Sequence, residues 1–268
     1  MTLKKLSLGL LICLMPLGTA FAQNAKDIIS VRVLTGARIT AERHISALHL
    51  QLKPGWKTYW RSPGKTGLAP EISFVGSKNL KSIRILWPSP IVFGPKEMWS
   101  IGYKDRLVLP LRLTPKDKTA PVALTLDALV GLCENICVPA EFTLSQILRA
   151  GAKKRSPKIV AALVDKPASG RKADLQKIAC RFSRSNDDIS VKITLNLPHV
   201  GNREVMMIEY EQPNHWVMLS SSSRSGPVLT AQARISRKSG PITSIERSKV
   251  RITVVSTTAS VNVGTCSQ

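Results

Sequence analysis

Apolar residues alternate with polar or small ones in short runs along most of the chain. Leu107, Leu109, Leu111 and Leu113 keep a period of two, and Ile45, Leu48, Leu50 and Leu52 keep part of one. That period marks half-buried strands. Runs rich in Val, Ile, Leu and Thr predict strands at Val31–Thr35, His44–Leu52, Ile83–Leu86, Arg106–Leu113 and Val122–Leu129, with turn-rich pieces at Arg61–Pro70 and Pro88–Pro95. Strands separated by turns, without long helical patterns between them, predict a β-sandwich instead of βαβ units.

The pattern changes after Leu148. Gly151–Pro157 is basic and rich in turn formers, and Ser156-Pro157 is a good helix start, with Ser at the N-cap and Pro in the first turn. Ile159, Val160, Leu163 and Val164 give one apolar face over two turns, and Pro167 and Gly170 end it. Residues 151–171 are therefore expected to be a linker with a short helix. Strands are predicted again at Ile189–Leu197, Val205–Tyr210, Trp216–Ser220, Val228–Ile235 and Val250–Ser256. The expected architecture is all-β: an immunoglobulin-like β-sandwich over residues 23–150, then a second, smaller all-β domain over 172–268. No residue-level repeat links the two halves.

The first 22 residues read as a signal peptide, with Lys4 and Lys5 ahead of the apolar run Leu8–Leu17 and the cleavage signal Ala20-Phe21-Ala22. The apolar run is about half the ~20 residues that a membrane-spanning helix needs, which argues against an anchor. Ile12 makes Cys13 a poor lipoprotein site, and cleavage near Ala22 leaves about 246 residues. No later segment is apolar enough to span a bilayer.

Removing Lys4 and Lys5 from 39 basic residues leaves 37 against 17 acidic, a net charge of +20. These charges are spread evenly, with only short clusters such as Lys153-Lys154-Arg155. Nucleic-acid binding needs a concentrated basic face, so it is excluded as a function. The charge points to general attraction to anionic partners, such as an acidic protein or the headgroups of a membrane surface.

Processing also removes Cys13 and leaves Cys133, Cys137, Cys180 and Cys266. An even count in an exported chain suggests two disulfides, and four cysteines allow three pairings. Proximity favours Cys133 with Cys137, which leaves Cys180 with Cys266. On the chain-entropy account the five-residue loop closed by the first pair is worth about 2 kcal/mol, and the 87-residue loop closed by the second about 4.6 kcal/mol. The short bridge is a poor staple for its length and the long one a good staple. The contrast assigns a redox role to Cys133–Cys137 and a structural role to Cys180–Cys266. Thiol–disulfide exchange needs one accessible sulfur and a second cysteine close enough to resolve a mixed disulfide, and this spacing supplies the second.

A structural hairpin disulfide remains open as an alternative. So does a soft ion such as Cu(I), which accepts two thiolates, although no His or Met flanks the pair and His44, His49, His199 and His215 are scattered. The chain has no G-x-S-x-G elbow, phosphate loop or H-E-x-x-H motif. Met206-Met207 reads as core.

Gly55-Trp56-Lys57-Thr58-Tyr59-Trp60-Arg61-Ser62-Pro63-Gly64, Leu86-Trp87-Pro88, Ile101-Gly102-Tyr103-Lys104-Asp105, Val108-Leu109-Pro110-Leu111 and Cys133…Cys137-Val138-Pro139-Ala140 occur in order. Together this set, roughly Val31 to Leu148, resembles the periplasmic N-terminal domain of the DsbD family of thiol:disulfide interchange proteins. The likeness is strongest to the branch called ScsB, linked with suppression of copper sensitivity.

The resemblance implies an immunoglobulin-like fold in the periplasm and Cys133 and Cys137 as a redox-active pair. It also implies electron exchange with a thioredoxin-like periplasmic protein and a membrane electron-transfer protein, here a separate one because family members continue into membrane and thioredoxin domains. The activity would be of the protein-disulfide reductase type, with no organic cofactor and no metal. The family covers its pair with a cap loop; the matching segment is Phe93–Trp99, so Met98 or Trp99 is expected over the sulfurs, with Tyr103 and Glu141 as neighbours. Trp56, Tyr59, Trp60 and Trp87 read as core aromatics. The alternative function is a redox-inert adaptor or a copper-handling periplasmic protein.

Overall fold

The protein is described here as a computed structural model covering residues 25–154 and 156–266. The predicted signal peptide lies outside the described residues. A short helix, α1 (Ala25–Ile28), leads into β1 (Ile29–Leu34), β2 (Arg38–Thr40), β3 (Arg43–Leu52), β4 (Lys57–Gly64), β5 (Glu71–Ser73), β6 (Leu80–Ile85), β7 (Ile91–Phe93), β8 (Ser100–Lys104), β9 (Arg106–Pro115), β10 (Val122–Cys133) and β11 (Cys137–Leu148). One sheet runs β1-β3-β9-β6 with β2 on β3, and the other runs β11-β10-β4-β8-β7 with β5 on β10. Two strands fall in pieces read from the sequence as turns. Arg61–Gly64 completes β4, and Ile91–Phe93 forms β7 at a sheet edge. Prolines and glycines around both pieces mask them in a propensity reading.

Burial follows the pleat. In β10, Leu124, Leu126, Ala128, Val130 and Leu132 point into the sandwich, while Thr125, Asp127 and Leu129 face outward. The alternation fails in β3, where residues 44–50 are all buried. Helix α2 (Pro157–Val164) explains this, because its Ile159 packs on Ile45 and Ala47 from the outer side. Ser156 occupies the N-cap in an extended conformation (φ −77°, ψ 124°) but makes no side-chain cap bond.

The chain then builds a second sandwich from β12 (Ala168–Ser169), β13 (Lys177–Ser185), β14 (Asp188–Asn196), β15 (Val205–Tyr210), β16 (His215–Ser225), β17 (Val228–Arg237), β18 (Val250–Val255) and β19 (Ser260–Thr265). Its sheets run β12-β19-β18-β15 and β13-β14-β17-β16. The fold is all-β, as the sequence predicts. Met206 and Ile208 of β15 enter the second core, whereas Val205 and Met207 join the buried cluster of the first sandwich. One strand thus serves two cores, and the sandwiches share a continuous apolar contact. No helix among the described residues is long and apolar enough to cross a membrane.

His44 lies buried in β3, and neither ring nitrogen has a hydrogen-bond partner among the described residues. Burial, and secondarily the Arg38 charge, lowers its pKa from 6.5 to about 4, and burial lowers that of His49 as well. The unfolded chain therefore takes up these protons first. The stabilisation from neutral His44 is complete above pH 6.5 and is lost as pH falls toward 4, by about 2–3 kcal/mol. Thermal unfolding across pH 4–7 should show this decline, and His44→Leu should flatten it. An equal slope in the variant would refute the assignment.

Candidate functional site

Strands β10 and β11 pair without interruption from Val122↔Leu148 to Cys133↔Cys137. The last rung brings the two cysteines opposite each other, with Cα atoms 4.2 Å apart, and they are disulfide-bonded. Glu134, Asn135 and Ile136 form the turn, closed by the Glu134 N–H donating to the Ile136 carbonyl at 3.1 Å. Cys137 is exposed and Cys133 half-buried. Ile136 stands 59% exposed at the tip, an apolar side chain presented to solvent beside the sulfurs.

Strand β4 runs beside this tip, with Cys133 opposite Lys57 and Leu132 opposite Thr58. Thr58 faces the core, so Lys57 and Tyr59 share the outer face with the cysteines. Lys104 follows Lys57 across the sheet. Lys57 stands directly across the ladder from Cys133, and a cation beside a cysteine favours its thiolate form. The Tyr59 hydroxyl lies 3.3 Å from Cys137 Sγ. In the disulfide the sulfur carries no proton, so the hydroxyl is the donor. Burial raises the Tyr59 pKa, which keeps the phenol protonated and able to donate to a thiolate as well.

Gly131 lets the Tyr59 ring lie against β10. A Cβ at this position would fall 2.8 Å from Tyr59 Cδ2 and 2.9 Å from Leu68 Cβ. On its other side Tyr59 stacks on Phe93, with ring centroids 6.3 Å apart and planes at 29°, and Lys57 Nζ sits 6.0 Å from the Phe93 centroid. The Tyr59 hydroxyl thus meets the outward sulfur, with the Phe93 ring and Lys57 behind it.

Of the expected neighbours, Trp99 and Tyr103 turn into the first core. Trp99 is buried in the core, with its ring against Gly64, and does not face the sulfurs. Met98 is exposed. Within Phe93–Trp99 it is Phe93 that reaches the site, through Tyr59. Tyr103 points into the sandwich, where its hydroxyl donates to the Pro88 carbonyl at 3.0 Å. Glu141 shares the cysteines' face but stands opposite Leu129, with the Gly131–Pro139 rung between it and the pair. Tyr59 itself corrects the reading as a mere core aromatic: its ring is buried, yet its hydroxyl touches sulfur. Its alternation with the core residues Thr58 and Trp60 was the available signal.

The second disulfide joins Cys180 of β13 to Cys266, just beyond β19, and so bridges the two sheets of the second sandwich. Cys266 is buried.

Residues 27–148 match the family model described as thiol:disulfide interchange protein DsbD, N-terminal. The resemblance carried by the sequence motifs therefore holds over this stretch. The N-terminal periplasmic domain of ScsB from Proteus mirabilis has a similar structure, with a TM-score of 0.61 and 21% identity, covering 91% of this chain and 96% of that one. That likeness establishes the fold across both sandwiches. No curated protein matches the chain.

Two outcomes follow from this geometry. With Cys133→Ser leaving Cys137 as a single thiol, Tyr59→Phe should raise the Cys137 thiolate pKa by about one unit, read from the pH dependence of alkylation by iodoacetamide; an unchanged profile would remove Tyr59 from the site. Replacing Cys180 and Cys266 by Ser should lower the stability of the second sandwich by about 2–5 kcal/mol in denaturant unfolding while Cys133–Cys137 reacts with dithiothreitol at the same rate; a changed rate would refute the division of roles.

Proposed function

We propose that this protein is a periplasmic thiol:disulfide exchange module, cycling Cys133 and Cys137 between dithiol and disulfide. The observation that carries the reading is the asymmetry of the pair: Cys137 is exposed under a hydroxyl donor, and Cys133 is half-buried directly opposite it. The family match over residues 27–148 supports interchange chemistry, and the periplasmic origin of the similar ScsB domain supports the compartment.

In the reductive direction, the Cys137 thiolate attacks one sulfur of a partner disulfide. A Cys137–partner bond forms, the partner's S–S bond breaks, and the released partner thiolate takes a proton. Cys133, as a thiolate, then attacks Cys137 Sγ, which restores the Cys133–Cys137 bond and releases the second partner thiolate. Two electrons pass from the dithiol to the partner, and the reverse sequence reloads the pair from a donor. The sulfurs carry both electrons, so the chemistry calls for no cofactor. A thioredoxin-like protein and a membrane electron-transfer protein are the partners this cycle requires. Exposed Ile136 and partly exposed Leu68 offer apolar contact beside the reacting sulfur.

The test is the reduction potential of Cys133–Cys137 in glutathione buffers with Cys180–Cys266 intact, together with mixed-disulfide trapping. A potential of about −180 to −270 mV is expected, with Cys133→Ser trapping a thioredoxin-like protein through Cys137 and Cys137→Ser trapping none. A potential below about −300 mV with no reduction by a thioredoxin-like donor would overturn the reading and leave a structural bridge.

A further inference from the structure

The second sandwich grips the two strands that carry the ring pair at Cys137. On the β7 side, the Val92 N–H donates to the Ser256 carbonyl at 2.9 Å, which extends this edge strand across the domain boundary. Immediately after Phe93, the carbonyls of Gly94 and Pro95 both accept from the Arg203 guanidinium. Arg203 is itself held in place. It adopts a left-handed backbone conformation (φ 54°), unusual for a residue with a Cβ. The turn around it is fastened by the Thr257 N–H donating to the Asn202 carbonyl at 3.1 Å, and by Glu204, which accepts from Arg224.

On the β4 side, Arg61 lies two residues beyond Tyr59. It makes a bidentate ion pair with Glu209 of β15, Nε to Oε1 at 2.9 Å and Nη2 to Oε2 at 2.8 Å. Both side chains are mostly buried, at 25% and 17% exposure. The fork geometry fixes direction as well as distance.

We infer that the second sandwich is a positioning element for the redox site, acting through Arg203 and Glu209 to hold Phe93 against Tyr59 and the Tyr59 hydroxyl at Cys137 Sγ. The inference rests on the exchange chemistry proposed above and gives the second domain its part in it. Arg203 and Glu209 touch no reacting atom; they act through the loop and strand they hold. A guanidinium suits the loop because two nearly parallel N–H groups can satisfy two successive carbonyls, which an ammonium cannot do in the same plane.

The test uses the full mature chain carrying Cys133→Ser and compares alkylation of Cys137 by iodoacetamide across pH in Arg203→Met, Glu209→Gln, Tyr59→Phe and the Arg203→Met/Tyr59→Phe combination. Arg203→Met should raise the Cys137 thiolate pKa in the direction Tyr59→Phe does, cutting the thiolate fraction at neutral pH several-fold, up to the roughly tenfold that one unit represents. The combined variant should move no further than Tyr59→Phe alone, because both act on the same hydroxyl. Arg203→Lys should restore part of the effect. A thermal melt accompanies each variant; if Arg203→Met does not fold, Glu209→Gln carries the same expectation from the other strand. An unchanged alkylation profile in a folded Arg203→Met or Glu209→Gln protein overturns the inference, as does full additivity with Tyr59→Phe. Failure of the exchange reading would show elsewhere, in an unmodified Cys133–Cys137 pair that no thioredoxin-like protein reduces.

Discussion

The register of the β10–β11 hairpin sets everything at the site. Its ladder fixes Cys133 opposite Cys137 by pairing every residue from Val122 to Leu148 outside the three-residue turn. Leu124, Leu126, Val130 and Leu132 enforce that register, since a slip of one residue would turn these buried side chains to solvent and carry the cysteines to the other face. The disulfide is thus secured by hydrophobic burial many residues away, not by the small chain-entropy gain of its own loop.

Strand β4 transmits the rest. Thr58 and Trp60 lock it into the core, which leaves Lys57 and Tyr59 on the outer face. One strand therefore presents a cation beside Cys133, a hydroxyl at Cys137 and a guanidinium to the second sandwich. The Arg61–Glu209 pair is mostly shielded from solvent. Such pairs contribute more to fixing one relative arrangement than to net stability, because desolvation offsets much of their attraction. Val205 and Met207 add apolar contact at the same boundary. A pleated strand pinned on both sides of Tyr59 has little freedom to move the hydroxyl.

Much of this was legible beforehand. The cysteine pair, its contrast with Cys180–Cys266, the strands at His44–Leu52, Ile83–Leu86, Arg106–Leu113 and Val122–Leu129 and the helix start at Ser156-Pro157 all follow from spacing and local preference. Several strands give no such signal, among them Lys177–Ser185 and Ser260–Thr265. The first carries Lys177, Arg181 and Arg184 on a half-exposed sheet edge, where charge obscures the alternation. Phe93 ends β7 and stacks on Tyr59, whereas Trp99, beyond the turn at Gly94, packs into the first core.

The sequence by itself determined the all-β class, the paired cysteines and the division between a short-loop and a long-loop bridge. Each of these depends on neighbours in the chain: the pleat period, the loop length, the residue types at a turn. The tertiary structure alone decided which sulfur faces solvent, that Tyr59 supplies its hydroxyl while Tyr103 turns inward, and that Arg203 and Glu209 hold the strands at the site. Those contacts join residues as far apart as Arg61 and Glu209, or Gly94 and Arg203. No local pattern encodes them, because they arise only when two separately patterned sandwiches pack through a strand whose alternate residues serve both cores.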